Sequence, residues 1–369
     1  MVVILLYFAL FLGVHFLSRS FKQPGAARLF QIVICFILLF GFFGFRDITV
    51  LNDTPHYYGS YYQLTRIRSY VDSSIFVYRM LLSFEYGYQV FQHFLIKYVS
   101  KEPFTIIIVS SWIISWGTVK FIDKQTKYIA LALLMLLLSG VMFDQYCLIR
   151  QSFALMFFYA AFPYLQAERW KPYTCLILCA ALFHLSALVL LILPVMQKMR
   201  PCRRNVLVVF GIALLVSLLV YEMFSLLGLS DTKYFVMNIK RNTFPIAALL
   251  DGSLMLVMLS TCLFMHKRSG VQQFDKTVFW IGVFGLSVCI ITPSFLSFFR
   301  LNIYTWPIIY LTFFKYASEK RPVLMTALII LAVRMAIILT FRNEWYHLIP
   351  YSFYDFSDRF HGFNMYWEK

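Results

Sequence analysis

Long apolar runs separated by short polar segments recur along the whole chain. They lie at about 2–17, 29–45, 104–122, 128–144, 147–166, 173–196, 206–228, 245–265, 277–298, 301–316 and 323–341, with a weaker amphipathic run at 82–99. A helix that crosses a bilayer needs about 20 apolar residues. Residues 129–138 do not alternate between apolar and polar positions, as a β-barrel strand would. The pattern predicts an all-α polytopic integral membrane protein with about 11–12 transmembrane helices.

The composition supports this prediction. Hydrophobic residues make up 61% of the 369 residues, charged residues 14%, and the mean hydropathy is +0.73. Soluble domains carry roughly 25% charged residues. No Gly/Ser-rich or charged linker interrupts the sequence, so residues 1–369 are predicted to form a single polytopic membrane domain.

The basic residues predict an orientation. The net charge is +16, but Lys and Arg occur in short clusters between apolar runs, which is typical of positive-inside signals rather than of nucleic-acid binding. The basic loop that contains Arg19, Lys22 and Arg28 is predicted to be cytoplasmic. The segment 46–81 then forms a long external loop, and if 82–99 crosses, the aromatic tail 343–369 is also external. The same count places Arg150 inside, unless 82–99 does not cross or the chain near 144–150 dips into the membrane.

The external loop is unusually rich in tyrosine. Tyr57, Tyr61 and Tyr62 lie close together in it. Aromatic side chains at this level commonly form interfacial belts. The alternative is that these rings stack against sugars.

Ionisable side chains inside apolar runs are costly and therefore mark candidate sites. Arg150 and Gln151 open one run, His184 lies within another, Arg300 lies between two, and Arg334 lies in the last. Each has a structural alternative: Arg150 can reach the headgroups, His184 can bond a neighbouring helix, and Arg300 can be a loop cation. Arg334 can pair with an acid, and Asp144 and Glu222 are the candidate partners.

Motifs of soluble enzymes are absent from the sequence. It has no phosphate-binding glycine-rich loop, no HExxH pair, no G-x-S-x-G elbow and no DxD-like acidic pair. We therefore expect no metal and no cofactor. Arginines around a membrane cavity suit a diphosphate instead, because guanidinium stays protonated and presents a fork of donors to phosphate oxygens.

Several short motifs occur in a fixed order along the chain: Gly44-Phe45-Arg46, Asn52-Asp53-Thr54 with Tyr57, Glu85-Tyr86-Gly87-Tyr88, Ile149-Arg150-Gln151, Phe183-His184-Leu185-Ser186-Ala187-Leu188 and Ile349-Pro350-Tyr351. This ordered set resembles the EpsG family of Wzy-type bacterial polysaccharide polymerases. One departure is Leu51-Asn52, which stands where the family pattern has a small Gly-Thr pair.

The resemblance implies a metal-independent membrane glycosyltransferase at the outer face of the bacterial cytoplasmic membrane. Its substrates would be oligosaccharide repeat units of an O-antigen, capsule or exopolysaccharide, carried on undecaprenyl diphosphate. The growing chain would move onto the non-reducing end of a new unit. The implied partners are these lipid-linked substrates, membrane lipid and a chain-length regulator protein, with no nucleic acid. An O-antigen-type ligase and a non-enzymatic flippase or transporter are the alternatives.

The motifs also provide the candidate residues. The expected catalytic group consists of Arg150, His184, Arg46 and Asp53. The expected substrate-binding group consists of Gln151, Arg300, Tyr57, Tyr61, Tyr62, Glu85 and Tyr351. In this hypothesis Arg150, with Arg46 or Arg300, grips the diphosphate, while His184 or Asp53 accepts a proton from the attacking hydroxyl.

Overall fold

A computed structural model describes residues 2–66, 84–226, 228, 246–268 and 274–357. These residues form helices and turns, with one isolated bridge, between Arg46 and Phe353. They divide into two compact units. The first unit comprises Met1–Pro163, Lys171–Leu188 and Pro322–Lys369, and the second comprises Tyr164–Trp170 and Val189–Arg321.

The first unit is built mainly from ten helices. They are α1 (Val2–Ser18), α2 (Pro24–Gly44), α3 (Thr54–Arg66), α4 (Tyr86–Tyr98), α5 (Thr105–Gln125), α6 (Ile129–Leu138), α7 (Val141–Cys147), α8 (Ile149–Gln166), α9 (Trp170–Ala181) and α15 (Arg321–Phe341). Helix α2 packs along α5, and α1 packs against both α2 and α6. Nine of the ten residues of α6 are buried, so this uniformly apolar helix forms the centre of the unit.

The second unit is built around α13. Its helices are α10 (Leu193–Lys198), α11 (Arg203–Leu226), α12 (Ile246–Arg268), α13 (Lys276–Ile291) and α14 (Trp306–Ala317), with a 3-10 segment at Leu296–Ile303. A second 3-10 segment, Leu185–Ile192, belongs to the first unit up to Leu188 and to the second from Val189. Helix α13 packs against α10, α11 and α12, and the side chain of Trp280 near its start is fully buried. The side chain of Asp275 accepts hydrogen bonds from the amides of Thr277 and Val278, which caps the start of α13.

Five helices among the described residues are long and apolar enough to cross a membrane. They are Pro24–Gly44, Thr105–Gln125, Arg203–Leu226, Leu249–Lys267 and Arg321–Phe341. Large apolar side chains remain exposed along them, for example Leu218 on α11 and Ile329 on α15. Such surfaces are stable against lipid but not against water. The prediction of an all-α polytopic membrane protein is confirmed.

Among the described residues, fewer helices reach membrane length than the predicted eleven or twelve, because several apolar runs are interrupted or form shorter helices. Run 128–144 is divided at Ser139 and Gly140 into α6 and α7, which are bent by 77° and count as a sixth candidate if taken as one broken span. Run 173–196 is interrupted near His184, where α9 has ended and the 3-10 segment begins. Each break places a polar or flexible residue within an apolar stretch.

The amphipathic run 82–99 forms only the 13-residue helix α4. At 1.5 Å per residue it is about 20 Å long, which is short of the roughly 30 Å hydrocarbon core. The shortness of α4 agrees with one of the two alternatives for an outward-facing Arg150, namely that 82–99 does not cross. The orientation itself stays a prediction.

The predicted external loop is partly helical. Residues 54–66 form α3, whereas 67–81 lie outside the described residues. In the predicted tail, residues 343–357 are described and 358–369 are not. The prediction of a single polytopic domain also stays a prediction.

Candidate functional site

One carboxylate bridges a cation and an imidazole in the first unit. The Oε2 atom of Glu85 lies 2.5 Å from Nη1 of Arg150, and its Oε1 atom lies 2.7 Å from Nδ1 of His184. The amide of Leu185 donates a third hydrogen bond, 3.3 Å long, to the same Oε1 atom. Three motifs that are far apart in the sequence therefore meet at one side chain. We call Arg150, Glu85 and His184 the bridged cluster.

Backbone packing brings the cluster together. Glu85 directly precedes α4, and the amide of Gly87 in the first turn donates to the carbonyl of Leu182 at 2.8 Å. A Cβ atom on residue 87 would lie 2.7 Å from that carbonyl oxygen, so only glycine permits this approach. His184 follows the end of α9, and its amide donates to Ala180. The Glu-Tyr-Gly-Tyr motif thus supplies both the carboxylate and the contact that positions it.

The cluster is mostly shielded but remains reachable. The side chains of Arg150, Glu85 and His184 are 17%, 12% and 23% exposed. Burial alone would raise the pKa of Glu85, but the hydrogen bond with His184 and the charge of Arg150 outweigh it and lower the pKa to about 2. Glu85 is therefore ionised at neutral pH. It acts as the acceptor in all three of these contacts.

Aromatic rings surround the guanidinium of Arg150. Its central carbon lies 4.5 Å from the centre of the Phe84 ring, a cation–π contact. The buried phenol of Tyr57 lies within hydrogen-bonding reach of the same guanidinium. Burial, opposed by the charge of Arg150, raises the pKa of Tyr57 to about 12, so the phenol is neutral. Among the described residues, the Nε atom of Arg150 is buried without a hydrogen-bond partner.

Arg46 occupies a different environment. Its side chain is fully buried, and its donors reach Thr54 Oγ1 at 3.2 Å, Ser111 Oγ at 3.0 Å and the carbonyl of Tyr146 at 3.0 Å. A further bond goes to the carbonyl of Phe43. Burial lowers the pKa of Arg46 to about 10, which leaves the group protonated at neutral pH. These contacts favour a scaffold role, and the expected role in gripping diphosphate stays a prediction.

The first and last motifs of the chain lie side by side. The amide of Asp47 donates to Ser352, and the amide of Tyr354 donates to Phe45, both at 2.9 Å. The ring of Tyr351 stacks on Phe42 at 4.4 Å, and its hydroxyl donates to the Phe42 carbonyl. Tyr351, expected to bind substrate, thus packs on the end of α2.

Leu51, which stands where the family pattern has a glycine, adopts a backbone conformation that favours glycine. Leu51 has a φ of 68°, in the left-handed region that a side chain rarely adopts. A glycine, as in the family pattern, would adopt this conformation without strain. Here the amide of Leu51 donates to Tyr346 at 3.0 Å, and its side chain is fully buried. The turn forms despite the substitution because tail and core contacts hold it.

The other candidates are distributed more widely. Gln151 is buried and donates to Ser186 Oγ at 3.4 Å, next to the bridged cluster. Asp53 lies in the turn before α3, where its charge acts on Tyr57. The hydroxyl of Tyr61 donates to the carbonyl of Ser100, whereas the ring of Tyr62 faces Arg66.

Two further arginines stood out in the sequence. Arg300 is exposed on the Leu296–Ile303 segment of the second unit. Arg334 on α15 donates to the carbonyl of Ser139 at 2.9 Å, at the break between α6 and α7. Its suggested acid partner Asp144 accepts a hydrogen bond from Tyr346 at 3.0 Å.

Sequence reasoning missed two features. Phe84 was not a candidate, although it directly precedes Glu85. The Glu85–His184 contact was also missed, since Glu85 was expected to touch substrate. A buried arginine and histidine require a nearby anion, and this requirement was the available signal. Among the described residues, no group of three or more His, Cys, Asp and Glu side chains could hold a metal ion.

The helices and the bridged cluster define a multi-pass α-helical membrane protein with a carboxylate-bridged Arg–His site. Residues 29–353 match the EpsG family. The chain belongs to this family of Wzy-type polysaccharide polymerase-like membrane proteins, as its ordered motifs predicted. No curated protein and no solved structure matches the chain.

Proposed function

We propose that the protein is a polymerase that joins oligosaccharide repeat units carried on undecaprenyl diphosphate, at the outer face of the cytoplasmic membrane. Family membership supports a glycosyltransferase-like polymerase in general. The single observation that carries the finer proposal is the bridged cluster. In this cluster the guanidinium of Arg150 can bind a diphosphate, and the imidazole of His184 can accept the proton of a hydroxyl group. Both side chains are partly exposed.

The reaction is a displacement at the anomeric carbon of the donor. A hydroxyl of the acceptor's non-reducing sugar forms a bond to that carbon, and the bond between the carbon and the diphosphate oxygen breaks. The leaving group keeps the electron pair and departs as undecaprenyl diphosphate. The acceptor's proton passes to His184, for which an imidazole is suited near neutral pH.

Arg150 stabilises the departing diphosphate in this proposal. Guanidinium presents several donors in a fixed plane, and its charge offsets the charge that develops on the leaving oxygen. The Phe84 ring and the Tyr57 phenol hold this plane in place. Gln151 supports the adjoining 183–188 segment through Ser186.

The remaining candidates have less direct roles in the proposal. Arg46 shapes the site through the end of α7 rather than by touching substrate. Asp53 acts on the cluster through its charge on Tyr57, and sugar binding by Tyr62 stays a separate prediction. A role for Arg300 in binding the diphosphate stays a separate prediction, because Arg300 belongs to the second unit.

The test is the size distribution of surface polysaccharide in cells with and without this protein, resolved as a gel ladder. We expect single repeat units at the surface in its absence and a full ladder when the wild-type gene is restored. Loss of all surface units would indicate a flippase instead. Accumulation of long lipid-linked chains would indicate a ligase.

Point variants locate the activity. Arg150→Ala, inserted at wild-type levels, should give single repeat units. Arg342→Ala is the matched control, because Arg342 forms an exposed ion pair with Glu344 at 3.3 Å in the same unit. It should give the wild-type ladder. A wild-type ladder from Arg150→Ala would refute the assignment of the site.

A further inference from the structure

Within the bridged cluster, the carboxylate of Glu85 contacts both Arg150 and His184. Each of its two oxygens serves a different partner, Oε2 the guanidinium and Oε1 the imidazole. An ion pair that only stabilised the fold would not need the histidine. The carboxylate therefore connects the two halves of the chemistry, diphosphate binding and proton transfer.

The contact with Glu85 fixes which ring nitrogen of His184 is protonated. An ionised carboxylate can only accept hydrogen bonds, so Nδ1 of His184 must donate. In the neutral ring Nε2 then carries the lone pair. Among the described residues Nε2 has no hydrogen-bond partner, and the side chain is 23% exposed. The nitrogen that is able to accept a proton is thus the one that an acceptor sugar can approach.

Glu85 also neutralises Arg150 while the site is empty. A donor diphosphate carries more negative charge than one carboxylate and offers more oxygens to the guanidinium. We infer that Glu85 couples donor binding to acceptor activation: the diphosphate replaces Oε2 at Arg150, and the carboxylate, still held by His184, then stabilises the imidazolium that forms on proton transfer. This inference rests on the proposed function, and it makes Glu85 a positioning residue.

The charged neighbours agree with this exchange. The groups that face His184 are Glu85 ahead of α4 and Arg150 at the start of α8, with the neutral Tyr57 phenol of α3 beside Arg150. Before the donor binds, the positive charge of Arg150 offsets the carboxylate. Once the diphosphate shares that positive charge, the effect of the carboxylate on the imidazole increases, as in other carboxylate–histidine pairs.

The test uses purified full-length protein and the lipid-diphosphate-linked single units that accumulate in cells lacking it. Glu85→Gln should lower kcat by about 10²-fold or more. The acid limb of its pH profile for kcat should move to lower pH, because the imidazolium loses a neighbouring negative charge. Binding of undecaprenyl diphosphate should be as tight as in wild type or tighter, since the competing carboxylate is gone. Glu344→Gln, an exposed carboxylate, should change none of these quantities.

The outcomes separate the inference from the proposed function. A Glu85→Gln protein with a kcat and pH profile close to those of wild type would overturn the coupling. The proposed polymerase function would still be supported if the wild-type protein polymerises the units. Weaker binding of undecaprenyl diphosphate would also overturn it, since a purely structural role predicts that result. Failure of the wild-type protein to polymerise the units would reject the proposed function itself.

Glu85→Asp keeps the inference testable if Glu85→Gln does not fold. Its carboxylate is one methylene shorter and cannot keep both contacts at their present lengths. We expect a reduced kcat with the acid limb near its wild-type position, because the charge is retained. A wild-type kcat in Glu85→Asp would contradict the requirement for a bridge.

Discussion

The guanidinium of Arg46 donates to the backbone carbonyl of Tyr146 at 3.0 Å. Tyr146 lies near the end of α7, four residues before Arg150. Its ring stacks on Phe43 at 3.7 Å with the ring planes 6° apart, and its hydroxyl lies 2.6 Å from Ser115 Oγ. The opening motif thus holds the chain just ahead of the arginine that we place at the donor diphosphate.

Arg46→Ala should destabilise the protein rather than remove only its activity. The buried carbonyl of Tyr146 would lose its donor, at about 1–3 kcal/mol, and the carbonyl of Phe43 would keep only the 3.2 Å hydrogen bond from Ser111 Oγ. We expect a melting temperature several degrees lower in detergent, measured by loss of the folded peak on size-exclusion chromatography. Arg150→Ala should change the melting temperature less. An Arg46→Ala protein with wild-type thermal stability and no polymer would instead indicate that Arg46 contacts substrate.

Arg150→Lys tests whether the planar shape of the cation matters. Lysine keeps the charge but replaces a planar fork of donors with a single ammonium group. It also cannot lie against the Phe84 ring as a flat guanidinium does. We expect a ladder limited to one or a few repeat units, with protein levels unchanged. A full ladder would show that charge alone is sufficient.

Gly87→Ala should disturb the bridged cluster through the backbone. The added methyl group would lie 2.7 Å from the Leu182 carbonyl oxygen, so α4 and the chain at 182 must separate. Glu85 and His184 would move apart with them, and we expect shorter polymer and a lower melting temperature. Gly13→Ala is the matched control in the same unit, because nothing lies within 4 Å of a Cβ there. Equal effects of both substitutions would contradict this reading of the motif.

Much of the architecture follows from the sequence because lipid restricts the possibilities. Because apolar runs in lipid must satisfy their backbone hydrogen bonds internally, the hydropathy pattern predicts an all-α structure with membrane-length helices. The breaks are harder to predict. Gly140 adopts a φ of 87° between α6 and α7, yet a single glycine in an apolar run is also common in continuous helices.

Only part of the candidate site could be predicted from the sequence. Buried charges are rare in membranes, and this rule selected Arg150 and His184. Their shared partner Glu85 lies 65 and 99 residues away in the sequence, so the pairing depends on tertiary structure. Arg46 shows the same difficulty. A conspicuous arginine in a motif looks identical whether its donors face a ligand or, as here, the carbonyl of a residue 100 positions later.

Stability should depend on pH through Glu85. Burial disfavours its charged form, but His184 and Arg150 outweigh that and lower its pKa from 4.5 to about 2. A carboxylate whose pKa is lower in the folded state stabilises the protein at pH values above its pKa in the unfolded state. This stabilisation is lost as the pH falls through its pKa in the folded state. The free energy of unfolding of wild type should exceed that of Glu85→Gln by at most about 3 kcal/mol, and this difference should be constant from about pH 5 to pH 7. It should shrink below pH 4.5 and vanish near pH 2. Glu344→Gln, which removes an exposed carboxylate, should show no such dependence, and a Glu85→Gln difference that grew on acidification would contradict the ionised bridge.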